Sequence, residues 1–397
     1  MTSRSPRSAD LRAPILPTRP DTTPVLPATA QSAASPAIPR RGILKAGVAG
    51  LMLAGLPAPA GARIPQPARP VTRVALMSCI HQARPAPALD LVVGYDPDIA
   101  IFAGDNVYGD VSGPEMTELA AAYALAATRP AFTALRRDRL VMPIWDDHDY
   151  GINDGGADFP HKAAAKALFQ DFWDVSADDP RRSRAGLYHA AITGPEGRRV
   201  QVILLDCRSF RSPLIPTRGG QAPGGGRYVP SGPGRAMLGA DQWAWLADQL
   251  RQPAELRLVV SSIQVIADGH GWESWRLMAD ERARLWRLIR DTGARGVVLL
   301  SGDRHLGALY RTGPGAGGTG ETEGPPYPVT ELTASSVNLP NLAIADEPGP
   351  NRLGRVWPME NWGRIDIDWW QGTVTLAVVD DGGITRRQAV LRIADLA

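Results

Sequence analysis

Cysteine is scarce in this chain: only Cys79 and Cys207 among its 397 residues are cysteines. A small scaffold held together by disulfides needs more of them, so that class of protein is excluded. One bridge would still be possible in an oxidising compartment. The hydrophobic share of 44% is ordinary for a globular protein, and we therefore expect the fold to depend on a sizeable apolar core.

Long apolar runs are missing as well. The weakly apolar run at residues 46–56 has 11 residues, which is too short to span a bilayer, so no stable membrane anchor is predicted. It follows Arg40 and Arg41 and precedes small residues at 58–62, the order of a twin-arginine signal peptide. The alternative is a basic pair before a short helix. We predict that residues 1–62 are a disordered region plus this signal peptide, that the twin-arginine export machinery is a partner, and that the protein is periplasmic or secreted.

The chain also lacks a large excess of charge of one sign. Its formal net charge is +2, and removal of residues 1–62, which carry seven basic and two acidic side chains, would leave about −3. No basic stripe runs along the sequence. A protein specialised for binding nucleic acid is therefore not predicted.

What the sequence does contain is an alternation of apolar strands and helices. This order is typical of an α/β domain, and we predict one catalytic domain over residues 63–397. We expect two glycine-rich loops, residues 212–234 and 312–324, to shape substrate access. The predicted strands cover residues 74–77, 98–102, 140–144, 200–205, 258–262, 296–300 and 329–333, the predicted helices cover 115–128, 161–173, 241–252 and 275–292, and a C-terminal hairpin joins 373–379 to 384–392.

Three carboxylates and an imidazole follow the third predicted strand directly. They lie in the stretch Trp145-Asp146-Asp147-His148-Asp149, which begins where the apolar residues 140–144 end. Carboxylates this close repel one another, and burying them without a partner is costly. The stretch therefore predicts either a solvated acidic turn or a cation site.

Three other predicted strands end in the same way, and this favours a cation site. In α/β folds ligands bind outside the carboxyl ends of the strands, so we expect these side chains to meet. Thiolate, phenolate, carboxylate and imidazole together suit a trivalent iron better than zinc, and the remaining carboxylates suit a harder ion such as calcium. The residues at these strand ends are Cys79, Asp105, Asn106, Tyr108, Asp147, His148, Asp303 and His305.

As a spaced set, these motifs resemble those of the PhoD-like alkaline phosphatases, within the calcineurin-like metallophosphoesterases. The resemblance implies an α/β, four-layer fold with two packed mixed β-sheets flanked by helices, in a short form without the extra N-terminal domain of longer members. It also implies Fe³⁺ with one or more Ca²⁺ as cofactors. The motifs are Ser78-Cys79, Gly104-Asp105-Asn106-Val107-Tyr108, Trp145 with residues 146–150, Leu204-Leu205-Asp206-Cys207-Arg208, Ser261-Ser262-Ile263-Gln264 and Ser301-Gly302-Asp303-Arg304-His305.

The resemblance also implies a role for each matching residue. Asp105 would bridge the metals, with Asn106 beside it among the metal-binding residues. His148 would steady the transition state or protonate the leaving group. Apart from the resemblance, Arg208 and Arg211 could clamp an anion, because guanidinium forks match phosphate oxygens. On the iron side the resemblance places Cys79, Tyr108 and His305, and at the second cation Asp147 and Asp303.

The activity implied is hydrolysis of phosphoesters by a metal-activated water, as in an alkaline phosphatase or phosphodiesterase. Two alternatives stay open. One is a phospholipase-type phosphodiesterase acting on envelope lipids or polymers. The other is a non-catalytic exported protein that binds metal or phosphate, a reading that gives His148 no task.

Overall fold

The structure is a computed structural model that describes residues 69–222, 224–315, 323–345 and 347–397. The predicted leader, residues 1–62, lies outside the described residues, as does part of the second glycine-rich loop. Within the described ranges, no helix combines the length and the apolar character needed to cross a membrane.

Strands and helices alternate along the chain. The strands are β1 Arg73–Met77, β2 Ile99–Ala103, β3 Leu140–Ile144, β4 His189–Thr193, β5 Val200–Leu205, β6 Ile215–Pro216, β7 Tyr228–Val229, β8 Leu256–Ser261, β9 Val297–Ser301, β10 Gly307–Thr312, β11 Val329–Ala334, β12 Asn361–Asp368, β13 Thr373–Asp380 and β14 Thr385–Arg392. The α-helices are α1 Pro87–Tyr95, α2 Thr117–Ala127, α3 Pro130–Asp138, α4 Asp147–Tyr150, α5 Lys162–Phe172, α6 Pro180–Ser183, α7 Ala240–Leu250 and α8 Ala279–Asp291.

Two six-stranded mixed sheets form the centre of the fold. The first has the order β14-β13-β12-β1-β2-β3, and the second has the order β10-β11-β9-β8-β5-β4. In the first sheet β1, β2 and β3 run parallel and β12, β13 and β14 add antiparallel pairs on one side. In the second sheet β11, β9, β8 and β5 run parallel, and β10 and β4 add an antiparallel pair at each edge. The sheets face each other, and strands β2, β5, β8, β9 and β11 are buried along their whole length. This confirms the predicted α/β architecture of two mixed sheets flanked by helices.

The predicted strands are confirmed to within two residues, including the C-terminal hairpin. Pro143 lies in β3, which is an edge strand of the first sheet, as expected for a residue that cannot donate to a second neighbour. The predicted helix at 275–292 is instead a 3₁₀ turn, Trp275–Met278, followed by α8. Sequence reasoning missed β4, β10, β12, α1 and α3, as well as the short elements β6, β7, α4 and α6.

Candidate active site

The carboxyl ends of strands from both sheets meet at one edge of the molecule. Glycines allow this close approach. A Cβ on Gly302, which follows β9, would lie 2.3 Å from the Ser78 Oγ atom and 2.6 Å from the Ala103 carbonyl oxygen. A Cβ on Gly104 would lie 2.4 Å from that of Asp146. The turns after β1, β2, β3 and β9 are therefore in backbone contact, and their polar side chains share one space.

The acidic stretch after β3 is a short capped helix. The Asp146 side chain accepts from the backbone of Asp149, and the Asp149 carboxylate accepts from the Asp146 nitrogen at 2.6 Å, which is a capping box. The helix α4 ends at Gly151, whose φ of 113° suits glycine. Local sequence thus fixes the direction in which Asp147 and His148 point.

Asp149 also holds the neighbouring turn. Its carboxylate accepts from the backbone nitrogens of Asp105 and Asn106 at 3.2 and 3.3 Å, and from the Asn106 side-chain amide at 2.5 Å. The Asn106 amide also donates to the Ile144 carbonyl at 2.8 Å. Asp149 is therefore a positioning residue that ties the strand ends of β2 and β3 together.

A first donor cluster contains a thiol, a carboxylate and an imidazole. One donor atom each from Cys79, Asp105 and His305 lies within 4.8 Å of the others. The Tyr108 hydroxyl joins them, donating to Asp105 at 2.9 Å. The His305 Nδ1 donates to the carbonyl of Leu339, which leaves its Nε2 as the free ring nitrogen. The structure thus brings together the three residues predicted on the iron side and Asp105, the predicted bridging carboxylate.

A second donor cluster is made of carboxylates alone. Asp146, Asp147 and Asp303 place one oxygen each within 4.8 Å of the others. One donor atom each from Asp105, Asp147 and His148 also lies within 4.8 Å of the others, so Asp105 belongs to both sides. The structure therefore places the predicted second-cation residues together, and it adds Asp146, for which sequence reasoning predicted no role.

Several of these residues have an unusual backbone. Cys79, Asp105, Asp303 and His305 have φ values of 56°, 50°, 68° and 54°. Non-glycine residues rarely adopt this left-handed region, and each such residue costs on the order of 1 kcal/mol or more. Strain concentrated on four candidate ligands is typical of a site whose geometry the surrounding fold imposes.

Burial makes the charges in these clusters unfavourable when no cation is bound. Burial and the neighbouring Asp147 raise the pKa of Asp105 well above its usual value, and burial and Asp146 do the same to the pKa of Asp303. Burial also raises the pKa of Asp146 to about 8, against the lowering effect of Arg208. Bound cations would remove this repulsion, so the donor set fits the metals that the resemblance implies.

Asn106 also fits a role in metal binding, although the support is less direct. Its Oδ1 atom is buried and accepts no hydrogen bond from the described residues, while its amide nitrogen is fully engaged. A buried acceptor without a donor is unfavourable, which is consistent with a missing ligand. Its predicted part in metal binding stays a prediction.

His148 is oriented by a carboxylate outside the cluster. Its Nδ1 lies 2.9 Å from Asp110, so its Nε2 is the nitrogen left for a ligand. Burial lowers the pKa of His148, but Asp147, Asp105 and Asp110 outweigh that effect and raise it to about 11. The ring also lies 4.4 Å from that of Tyr108. His148 is therefore a protonated, oriented imidazolium when no metal is bound.

Arg208 and Arg211 are buried rather than presented to the cavity. Arg208 contacts Asp146 at 2.5 Å and Glu273 at 2.6 Å, and Arg211 contacts Glu273 at 2.7 Å. Both guanidiniums also donate to the Gly155 carbonyl. The geometry thus shows them positioning carboxylates and a loop, and the direct substrate contact predicted for Arg208 stays a prediction.

Two other residues from the motifs have structural partners. Gln264 donates to the Tyr310 and Thr333 hydroxyls at 3.1 Å. Cys207 is buried with its sulfur 3.3 Å from the Ser261 hydroxyl, and it forms no disulfide with Cys79. The one disulfide that the cysteine count allowed is therefore not formed.

The donor clusters open into a cavity of about 120 Å³. Sequence reasoning found its floor but missed most of its walls. Arg227 comes from the first glycine-rich loop, which was expected to shape access, Arg304 lies inside the last motif without an assigned role, and Asn153 and Asp154 lie in a glycine-rich segment after the acidic stretch. Trp272, Glu273 and Asn341 carried no recognisable signal. The missed lining residues are Asn153, Asp154, Arg227, Trp272, Glu273, Arg304 and Asn341.

Comparison with known proteins agrees with this architecture. A solved structure of PhoD aligns with a TM-score of 0.61 at 16% identity over 85% of this chain and 70% of that one. A structure of GAP50, described as the anchor in the inner membrane complex of Plasmodium, aligns with a TM-score of 0.51 at 11% identity over 82% of this chain and 89% of that one. At these identities the likeness shows the fold alone. No curated protein sequence matches.

The family comparison is more specific. The model of the PhoD-like phosphatase family matches residues 74–355, a span that begins in β1 and contains every motif residue that forms the two donor clusters. The chain therefore belongs to the PhoD-like phosphatase family and is a phosphoesterase.

Proposed function

We propose that this phosphoesterase is an exported enzyme that hydrolyses phosphodiesters as well as monoesters, with Fe³⁺ and Ca²⁺ as its metals. The observation that carries the proposal is the pair of buried donor clusters that share Asp105 at the floor of one cavity. One cluster offers a thiol, a phenol and an imidazole, and the other offers only carboxylates. Such a pair suits two cations of different hardness.

The residues divide naturally between the two ions. Cys79, Tyr108 and His305 would hold the iron, Asp146, Asp147 and Asp303 would hold calcium, and Asp105 would contact both. When bound, paired cations supply an activated water and neutralise the phosphoryl oxygens.

His148 supplies the proton chemistry. Its Nδ1 is engaged with Asp110, so a proton on Nε2 is available to the oxygen of the leaving group. Arg208 acts behind the cavity, where its ion pairs with Asp146 and with the wall residue Glu273, and its hydrogen bond to the Gly155 carbonyl, hold these groups in place. Arg208 and Glu273 act by position and do not take part in the bond changes.

Acceptance of diesters follows from the charges around the cavity. A monoester carries a second negative charge that a selective site would neutralise with extra cationic side chains. Apart from Arg227 in the cavity wall, the arginines around the donor clusters are already paired, Arg208 with Asp146, Arg211 with Glu273 and Arg304 with Glu347. The cavity therefore gives a monoester little advantage over a diester.

Export is proposed from Arg40 and Arg41 and the run that follows them, all of which lie outside the described residues. Replacing both arginines with lysine should leave the precursor in the cytoplasm, as followed by fractionation and immunoblotting. Unchanged export of the double variant would contradict this part of the proposal.

Metal analysis and a substrate panel on purified protein test the rest. The protein should contain iron and calcium and should release nitrophenol from both 4-nitrophenyl phosphate and bis(4-nitrophenyl) phosphate. A phospholipid preferred over both would favour the phospholipase alternative. Metal-loaded protein that turns over none of these esters would favour a metal- or phosphate-binding protein.

A further inference from the structure

Among the described residues, the walls of the cavity contain one cationic side chain that a ligand can reach. Two of the described arginines line the cavity, Arg227 and Arg304. Arg304 is 6% exposed and is ion-paired with Glu347, which is also buried. The Arg227 side chain is 56% exposed, and its only ion pair among the described residues is with Asp154 at 3.1 Å. Arg227 is therefore the guanidinium available to an anion that enters beside the metal centre.

The ion pair with Asp154 does not prevent Arg227 from binding another anion. The same Asp154 oxygen accepts from the Tyr228 hydroxyl at 2.6 Å and from the Asn153 amide at 2.7 Å. Solvent-exposed ion pairs contribute little to stability. If Arg227 turns toward another anion, Asp154 keeps two hydrogen-bond donors and no buried charge is left without a partner.

The backbone that carries Arg227 is held firmly against the neighbouring loop. Gly271 donates to the Gly225 carbonyl at 2.6 Å, and Tyr228 donates to the Gly271 carbonyl at 2.8 Å. A Cβ on Gly226, whose φ is 94°, would lie 2.1 Å from the Gly271 carbonyl carbon. The two loops thus touch backbone to backbone, and only glycine fits at position 226.

This backbone contact fixes the position from which the Arg227 side chain extends. The guanidinium carbon of Arg227 lies 5.6 Å from the centre of the Trp272 ring, which also lines the cavity. Stacking on an indole steadies an arginine without using its hydrogen-bond donors. The N–H groups that do not face Asp154 stay free to bind a pair of phosphate oxygens.

We propose that Arg227, supported by Trp272, forms a subsite for a second anionic group of the substrate, such as a phosphate one linkage away from the reacting phosphorus. This inference rests on the proposed function, because the reacting phosphoryl group must lie at the metal clusters for a second group to reach Arg227. It identifies substrates with repeated or neighbouring phosphates as those that the site prefers.

A matched pair of chromogenic diesters tests the subsite. The 4-nitrophenyl ester of thymidine 5′-phosphate and the same compound with an added 3′-phosphate share one reacting group and differ in one anion. The metal-loaded enzyme should prefer the second compound in kcat/KM by about tenfold, the usual size of a charge-assisted hydrogen-bond pair. The difference should lie mainly in KM.

Variants then assign the preference to the residue. Arg227→Gln should reduce the preference to within about twofold while leaving turnover of the simpler diester nearly unchanged. Arg227→Lys should keep part of it, since lysine retains the charge but not the fork. The control Arg218→Gln, in an exposed residue of the same loop, should change nothing. Gly226→Ala should lose the preference with Arg227 intact.

The outcomes separate this inference from the proposed function. A wild type without preference, or an Arg227→Gln variant that keeps it, overturns the subsite. An equal loss on both diesters also overturns it, because Arg227 would then contact the reacting phosphoryl group itself. A retained preference in Gly226→Ala overturns the part assigned to the loop contact. Failure of the wild type to hydrolyse either diester refutes the proposed function instead.

Discussion

The two halves of the metal centre are held in place by different physical means. Cys79 and Tyr108 lie on the iron side as neutral groups, since burial and then the charge of Asp105 raise the pKa of both well above their usual values. On the carboxylate side a buried guanidinium is already present, and Arg208 and His148 hold the pKa of Asp147 below its usual value despite burial. The carboxylate side is thus partly balanced before any cation arrives.

This difference indicates how each half of the metal centre depends on its bound metal for charge balance. The iron-side donors must lose protons to bind, so they gain their charge only together with the ion. The carboxylate side depends equally on Arg208, because a buried ion pair that loses one partner leaves the other charge uncompensated. Substitutions of single residues should therefore have separable effects on metal content, on turnover and on folding stability.

The largest effect is expected at Asp105, the residue that belongs to both donor clusters. Asp105→Asn removes the carboxylate shared by both clusters, so both metals should be lost and turnover should fall to background. Elemental analysis and hydrolysis of bis(4-nitrophenyl) phosphate measure the two outcomes. The control Asp110→Asn alters an outlying carboxylate and should keep both metals. An Asp105→Asn protein that retains them would break the division into two halves.

His148→Ala should leave both halves intact and still abolish most activity. A positioned general acid contributes roughly 10²- to 10⁴-fold, so turnover should fall by about that factor with metal content nearly unchanged. Substrates with a good leaving group should suffer least. A loss of metal equal to that of Asp105→Asn would show that His148 is a ligand and not the proton donor.

Arg208→Met should lower folding stability more than it lowers iron binding. It leaves Asp146 and Glu273 buried without their shared cation, which should lower the free energy of unfolding by about 3–5 kcal/mol. Urea denaturation measures this. The half-buried pair of Arg199 and Glu255 gives the control, and Arg199→Met should cost less than about 1 kcal/mol. Equal decreases in the free energy of unfolding of the two variants would contradict the structural role assigned to Arg208.

Tyr108→Phe should affect the iron side alone. A phenolate bound to ferric iron absorbs visible light, so the variant should lose colour and retain iron less firmly while its calcium content stays unchanged. Visible absorption and metal analysis provide the measurement. Tyr123→Phe, in a buried tyrosine of α2 whose hydroxyl has no hydrogen-bond partner among the described residues, should keep the colour. A colourless, iron-loaded and active wild type would contradict the assignment of Tyr108.

The smallest effect concerns a histidine away from the centre. Burial and Arg181 lower the pKa of His189 to about 4. The unfolded chain therefore binds the proton first as pH falls below about 6.5, and folding stability should fall on the order of 1–3 kcal/mol between that pH and 4. His189→Gln should lose this dependence when both proteins are unfolded in chelator. Identical pH profiles would assign the acid sensitivity to the centre instead.

Sequence reasoning found the residues of the floor because they follow apolar strands directly. Cys79, Asp105, Asp147 and Asp303 each stand within a few residues of a predicted strand end, and strand ends in α/β folds converge. It missed β12 because the polar residues of this strand, such as Arg364 and Asp366, interrupt its apolar pattern. It missed α3 because the predicted stop at Pro130 is in fact a helix start, where proline is favoured.

The chain by itself determined the alternation of strands and helices and the donor types, because these follow from apolar periodicity and from the chemistry of residues adjacent in sequence. The family and the two mixed sheets were implied by the resemblance of its motifs. Only the tertiary structure decided which groups face the cavity. It buried Arg208 against Asp146 and Glu273, although nothing near Arg208 in sequence distinguishes it from an anion-binding arginine. It also brought Arg227 to Trp272, 45 residues further along the chain, because glycines at 226 and 271 let the two loops touch. Such contacts between distant segments depend on packing, which no local pattern records.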